Sequence, residues 1–195
     1  MAAGKKRLGR DDWECAALDA IADGGIGAVA VEPLAAALGV TKGSFYAHFP
    51  SRDALIEATL TRWERSHSES LGELDEIADP AERLERVMLA AISFSQSGAP
   101  SVHRRLLGEL GDERVRPAVA RMDSARVARL TATYRELGFP PQQAERRARL
   151  AYASYVGLLQ MADSTPNERL DSREVAALVR ELRRTLLAPP ARAAR

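Results

Sequence analysis

The chain has 195 residues, 46% of them hydrophobic, enough for a substantial core in one or two domains and against a disordered chain. Its 28 Lys and Arg against 27 Asp and Glu leave a formal net charge of +1, so affinity for a polyanion must rest on where charges sit. A single cysteine, Cys15, excludes an intrachain disulfide and a cysteine-rich zinc site. It fits a reducing, cytoplasmic compartment and reads as a small packing residue. No window approaches the roughly 18 apolar residues of a membrane span, and the basic N-terminus runs into Asp11-Asp12 rather than an apolar signal core. A soluble, unprocessed chain with no membrane partner is expected.

Ala, Leu, Glu and Arg dominate while Ile, Thr and aromatic residues are scarce, which predicts an all-α fold of roughly nine helices without strands or internal repeats. Lys5, Lys6, Arg7 and Arg10 form a basic arm, to be read either as a solvated tail or as a groove-tracking segment. Residues 1 to 60 as a whole carry six bases and eight acids. Asp11 with Glu14 predicts the first helix cap, Trp13, Ala16, Ala17, Ala20 and Ile21 recur at helical spacing, and Gly24-Gly25 stops the helix.

The segment Val31 to Phe49 carries the most specific signal. Leu34, Ala35 and Leu38 form the inner face of a short helix, Gly39 suits the sharp turn that follows, and Val40 plugs it. Thr41 is the expected N-cap of a second helix, which Phe45 and Phe49, four apart, tie inward. The outward surface is then Lys42, Gly43, Ser44, Tyr46, Ala47 and His48, small or hydrogen-bonding groups that suit close approach to a DNA major groove. Arg52 adds a charge beside the next helix N-terminus, a natural phosphate site.

A long helical run begins at Ser51, with Leu55, Ile56, Thr59, Leu60 and Trp63 on one face, and is expected to continue toward Ala78. Further starts are marked by Asp79-Pro80 with Glu82 and by Asp171 with Glu174. Breaks fall near Gly98-Ala99-Pro100, Gly111, Gly138 to Pro141 and Ser164 to Pro166, and Pro117 marks a start or kink. Pro189-Pro190 ends the last helix. The boundary near residue 50 predicts an N-terminal helix-turn-helix DNA-binding domain over 1–50 and a helical body over 51–195.

The stretches Gly39 to Phe49 and Ser51 to Leu55 resemble the N-terminal domain of the tetracycline-repressor (TetR) family, whose pattern reads G-V-(S/T)-(K/R)-G-(S/T)-(L/F)-Y-x-(H/Y)-F followed by S-(K/R)-(D/E)-x-L. The resemblance covers residues 8 to 63. It implies a homodimeric transcriptional regulator, a repressor by family habit, that binds a double-stranded palindromic operator and takes a small-molecule effector in its C-terminal domain. Carried over position by position, it implies Thr41, Lys42, Gly43, Ser44, Tyr46 and His48 as the recognition surface and Arg52 as a phosphate contact. Where many relatives open the first helix of the motif with a hydroxyl residue, this chain has Ala30 and Val31.

One short recognition helix gives limited affinity, so two copies about 34 to 36 Å apart are expected. Candidate dimer residues are Leu150, Ser154, Gly157, Leu158 and Met161 on one late helix, and Val175, Leu178, Val179, Leu182 and Leu186 on the last; the competing reading is that both stripes fill the protomer's own core. Candidate effector contacts are Trp63, His67, Phe94, His103, Met122, Tyr134, Tyr152 and Tyr155, each of which packing alone could also explain.

No set of residues has catalytic spacing. His48, His67 and His103 lie far apart, no HExxH or P-loop is present, and Gly24-Gly25-Ile26-Gly27 follows a helix rather than a strand. The chain reads as a non-enzyme without cofactor or metal. The competing class is a helical ligand-binding or interaction protein that keeps the two-helix corner without binding DNA.

Overall fold

Nine α-helices and a short 3-10 turn account for most of the described residues, 8–165, 167 and 169–188, of a computed structural model, and no strand occurs among them. Within helix 52–75 the side chains of residues 67–71, 73 and 74 lie outside the description, as do Lys5, Lys6 and Arg7 of the basic arm. In order, α1 is Arg10–Gly24, the 3-10 turn Ile26–Ala28, α2 Val31–Ala37, α3 Lys42–Tyr46 and α4 Arg52–Asp75. There follow α5 Pro80–Gln96, α6 Val102–Leu107, α7 Val115–Glu136, α8 Pro141–Ser164 and α9 Ser172–Leu186. No described helix is long and apolar enough to cross a membrane.

The chain divides into two compact units, one of residues 1–68 and 100–120 and the other of residues 69–99 and 121–195. The first takes in the helix-turn-helix segment together with the start of α4, and adds α6 and the first residues of α7. Packing of α6 on α1, with Leu106 and Val115 fully buried, adds residues 100–120 to this unit, and polar ties reinforce it. Glu109 Oε2 accepts the Ile26 N–H at 2.9 Å, at the start of the 3-10 turn. Arg105 donates to the Ala22 carbonyl at 3.3 Å. Arg114 holds Asp112 through both carboxylate oxygens and also reaches Asp53 at the start of α4. That two-point grip by Arg114 draws the Asp112 carboxyl down to about 2.

Local sequence explains most helix ends. Asp79 accepts the Ala81 N–H with Pro80 in the first turn of α5, Ser101 accepts from Arg104 at α6, and Asp171 with Glu174 makes a reciprocal capping box at α9. α1 departs from expectation: its cap is Gly9 rather than Asp11, two residues earlier, so the helix begins at Arg10, and Asp12 closes the cap by accepting the Gly9 N–H at 2.8 Å. Glycine at the cap leaves that role to the residue three positions on. Cys15 is exposed rather than packed, because it points away from the face that buries Trp13, Ala17 and Ile21.

In the second unit α5, α7, α8 and α9 enclose a cluster of Leu84, Met88, Tyr134, Phe139, Ala144, Ala148 and Leu186. α7 ends at Gly138 (φ +85°), where the Phe139 N–H reaches back to the Tyr134 carbonyl at 3.1 Å and the two rings meet edge-on at 5.7 Å. The helix stop and the core contact are thus one motif.

Candidate nucleic-acid interface

The corner between α2 and α3 is built by a backbone reversal. Gly39 (φ +68°) lets its N–H bond the Ala36 carbonyl and the Val40 N–H bond the Ala35 carbonyl, at 3.1 and 2.9 Å, which satisfies the last carbonyls of α2. A side chain at position 39 would meet open space but would have to hold a left-handed backbone, so the requirement for glycine is conformational.

Three aromatic rings then fix the direction of α3. Phe45 is fully buried, meets Trp13 edge-on at 5.3 Å and stacks on Phe49 at 5.8 Å. With Phe45 and Phe49 committed inward one turn apart, Lys42, Gly43, Tyr46 and Ala47 must point out, and all four are exposed. Tyr46 keeps 55% of its surface open while its ring edge rests on Phe45 at 5.1 Å, so its phenol is presented from a fixed base. Ser44 and His48 are half-buried at the margins. Thr41 occupies the N-cap position with extended backbone, but its hydroxyl makes no cap hydrogen bond, contrary to expectation, and the residue lies exposed beside Lys42.

Three basic side chains at this surface are already engaged. Arg10 lies over the Phe49 ring at 4.2 Å, donates to the His48 carbonyl at 3.1 Å and pairs with Glu14 at 3.3 Å, closing the end of the corner from below. Arg52 donates to the carbonyls of Ile26, at 2.6 Å, and of Val29, so the start of α4 is tied to the loop that leads into α2. Its side chain remains 39% exposed. Lys42 pairs with Glu32 of α2 at 2.6 Å. That hydrogen bond holds the Glu32 carboxyl below the usual carboxylate range and raises the Lys42 ammonium. Glu32 was not singled out by sequence, since a pair ten positions apart across a turn has no helical period.

The effector candidates fall in both units. In the first, Trp63 and His103 are buried and stacked, ring centroids 6.0 Å apart. In the second, Tyr152 donates to Asp123 at 2.6 Å and accepts from buried Arg126 at 3.2 Å, while the same guanidinium lies over the rings of Tyr152 and Tyr155 at 5.7 and 5.6 Å. Burial pushes the Tyr152 phenol well above its ordinary range. Sequence singled out the tyrosines but not half-buried Asp123 or buried Arg126, charged residues whose meeting has no local signature. Tyr134 belongs to the core cluster, Met122 is buried, Phe94 is 39% exposed, and the His67 side chain lies outside the described residues. A cleft of about 890 Å³ in the second unit is lined instead by Ala81, Leu137, Ala177, Arg180 and neighbours on α9.

The two stripes considered for self-association separate cleanly. On α9, Val175, Val179 and Leu186 are buried, and Leu178 and Leu182 pack against the same protomer's clusters. On α8, Leu158 also packs inward and Ser154 is half-buried, whereas Leu150 and Met161 are 59% and 64% exposed with Gly157 exposed between them.

Residues 16–59 match the family model of bacterial regulatory proteins, tetR family. The whole chain is similar in fold to solved structures. Reduced NemR of E. coli superposes with a TM-score of 0.74 at 17% identity, covering 89% of this chain and 94% of that one. A TetR-family transcriptional regulator from Agrobacterium tumefaciens gives 0.73 at 21%, with 90% and 96% covered. FadR from Bacillus subtilis, solved with stearoyl-CoA, gives 0.67 at 16%, with 91% and 97% covered. No curated protein matches the chain.

Proposed function

We propose that the chain, whose residues 16–59 match the tetR family model, is a DNA-binding transcriptional regulator of that family and acts in the cytoplasm as a homodimeric repressor released from a palindromic operator by a small-molecule effector. The observation that carries the reading is the exposed face of α3. Lys42, Gly43 and Tyr46 stand outward on a helix whose inner side is locked by Phe45, so the groove-facing surface is rigid and small. Thr41, Ser44 and His48 border it, and Arg52 positions the start of α4 beside it.

DNA reading is assigned to residues 1–50, effector binding and dimerisation to residues 51–195. The effector reading draws on FadR, which holds stearoyl-CoA, and on the buried Arg126 with Tyr152 and Tyr155, a polar-aromatic group set within a helical unit. Of the stripes considered for dimerisation, α8 leaves an apolar surface free, from Leu150 through Gly157 to Met161. Release requires the effector to bind one body conformation more tightly than the other.

The test is a gel shift on the DNA upstream of the protein's own gene and its neighbours, run across salt. The expected result is a discrete complex whose affinity falls steeply as salt rises, the mark of phosphate neutralisation. Failure to bind any of these fragments even at low salt would count against the regulator reading.

A further inference from the structure

The recognition surface carries an acid where a polyanion is to bind. Glu32 stands in the first turn of α2, its side chain 73% exposed, and its carboxylate lies 2.6 Å from the Lys42 ammonium at the start of α3. Lys42 is itself 52% exposed, so neither partner is needed to fill the core. Among the exposed residues of α3, Lys42 alone carries a positive charge, since its neighbours are Gly43 and Tyr46. The pair therefore decides how much charge this helix offers to any DNA it meets.

We propose that Glu32 is a specificity-determining residue that holds Lys42 in the free protein and so lowers affinity for non-cognate DNA. Binding to arbitrary sequence is almost wholly electrostatic, and each lysine that neutralises a phosphate adds about 0.9 to the slope of log affinity against log salt. A lysine already neutralised by its own carboxylate releases no counterion and adds nothing to that slope. At a matching site, a base edge or phosphate set by the rest of the interface competes for the ammonium at close range, so the restraint weighs less there. A regulator facing about a million or more competing sites gains by this, because the ratio of the two affinities governs occupancy. The inference rests on the DNA-binding reading of α3.

The experiment measures binding of a fluorescent random-sequence duplex by anisotropy between low and physiological salt. The proteins are the wild type, Glu32→Gln, Lys42→Gln and the double variant, each checked for unchanged helical content and melting. Glu32→Gln is expected to bind random DNA on the order of fivefold more tightly near 0.1 M salt, with a slope steeper by about 0.9. In the Lys42→Gln background the same change should leave the slope unaltered. An equal gain in both backgrounds would overturn the proposal, because Glu32 would then act only as one repelling charge. Weaker binding by Glu32→Gln would also overturn it and mark Glu32 as a contact. Failure of all four proteins to bind the duplex at low salt, together with failure of the wild type on the upstream fragments, would remove the DNA-binding reading itself, which separates that failure from failure of the restraint.

Discussion

Phe45→Ala is expected to destabilise the N-terminal unit by about 3–5 kcal/mol, the range for deleting a fully buried phenylalanine. The ring has no exposed surface and is held edge-on by Trp13 and face-on by Phe49, so its removal opens a cavity that two rigid neighbours cannot collapse into. α3, at five residues, is too short to persist without that anchor. Chemical denaturation followed by tryptophan fluorescence should show an early transition, reported by Trp13 beside the lost ring. DNA binding should fall with it. A variant with wild-type stability would mean that Phe45 does not hold the recognition helix.

Met161→Glu should convert the proposed homodimer into a folded monomer. Leu150 and Met161 are the largest exposed apolar side chains on α8, with Ala153 and Gly157 spaced between them at three- and four-residue intervals on the same face. A second copy meeting this face about a twofold axis would bring both substituted carboxylates into an apolar contact. Burial of an unpaired charge costs several kcal/mol, so self-association should weaken by about a hundredfold or more. Sedimentation velocity reads the change. The protomer should melt normally, because Met161 is outside its core, and operator affinity should drop as the two recognition helices are uncoupled. A dimer of unchanged strength would place the interface elsewhere.

The parts of the fold written in local chemistry were legible in the sequence. Gly39 between two apolar faces, Phe45 and Phe49 one turn apart, Asp79 before Pro80, and Asp171 with Glu174 each act within five residues of one another. Their outcome follows from capping and periodicity alone. What stayed hidden depends on distant partners. Residues 100–120 join the first unit by packing of α6 on α1, reinforced by Glu109 to Ile26 and Arg114 to Asp53, separations of 83 and 61 residues with no periodic signature. The stripes on α8 and α9 look alike in sequence. Only the packing of Val175, Val179 and Leu186 against the protomer's own core distinguishes them, because an apolar face does not say whether its cover is the same chain or another. At the interface, the exposed positions of α3 were readable from Phe45. The engagements of Arg10, Arg52 and Lys42 were not, since long basic side chains reach whichever acceptor the tertiary fold brings near.

The most direct test of the account is the DNA affinity of Tyr46→Ala, set beside its melting temperature and its oligomeric state. Tyr46 is 55% exposed and contributes only a ring edge to the core, so the variant should fold and dimerise as the wild type does. Its affinity for the upstream DNA should fall by about tenfold or more, the scale of a lost groove or phosphate contact in each protomer. Unchanged affinity, or a parallel loss of folding and dimerisation, would contradict the assignment of α3 as the surface that reads DNA.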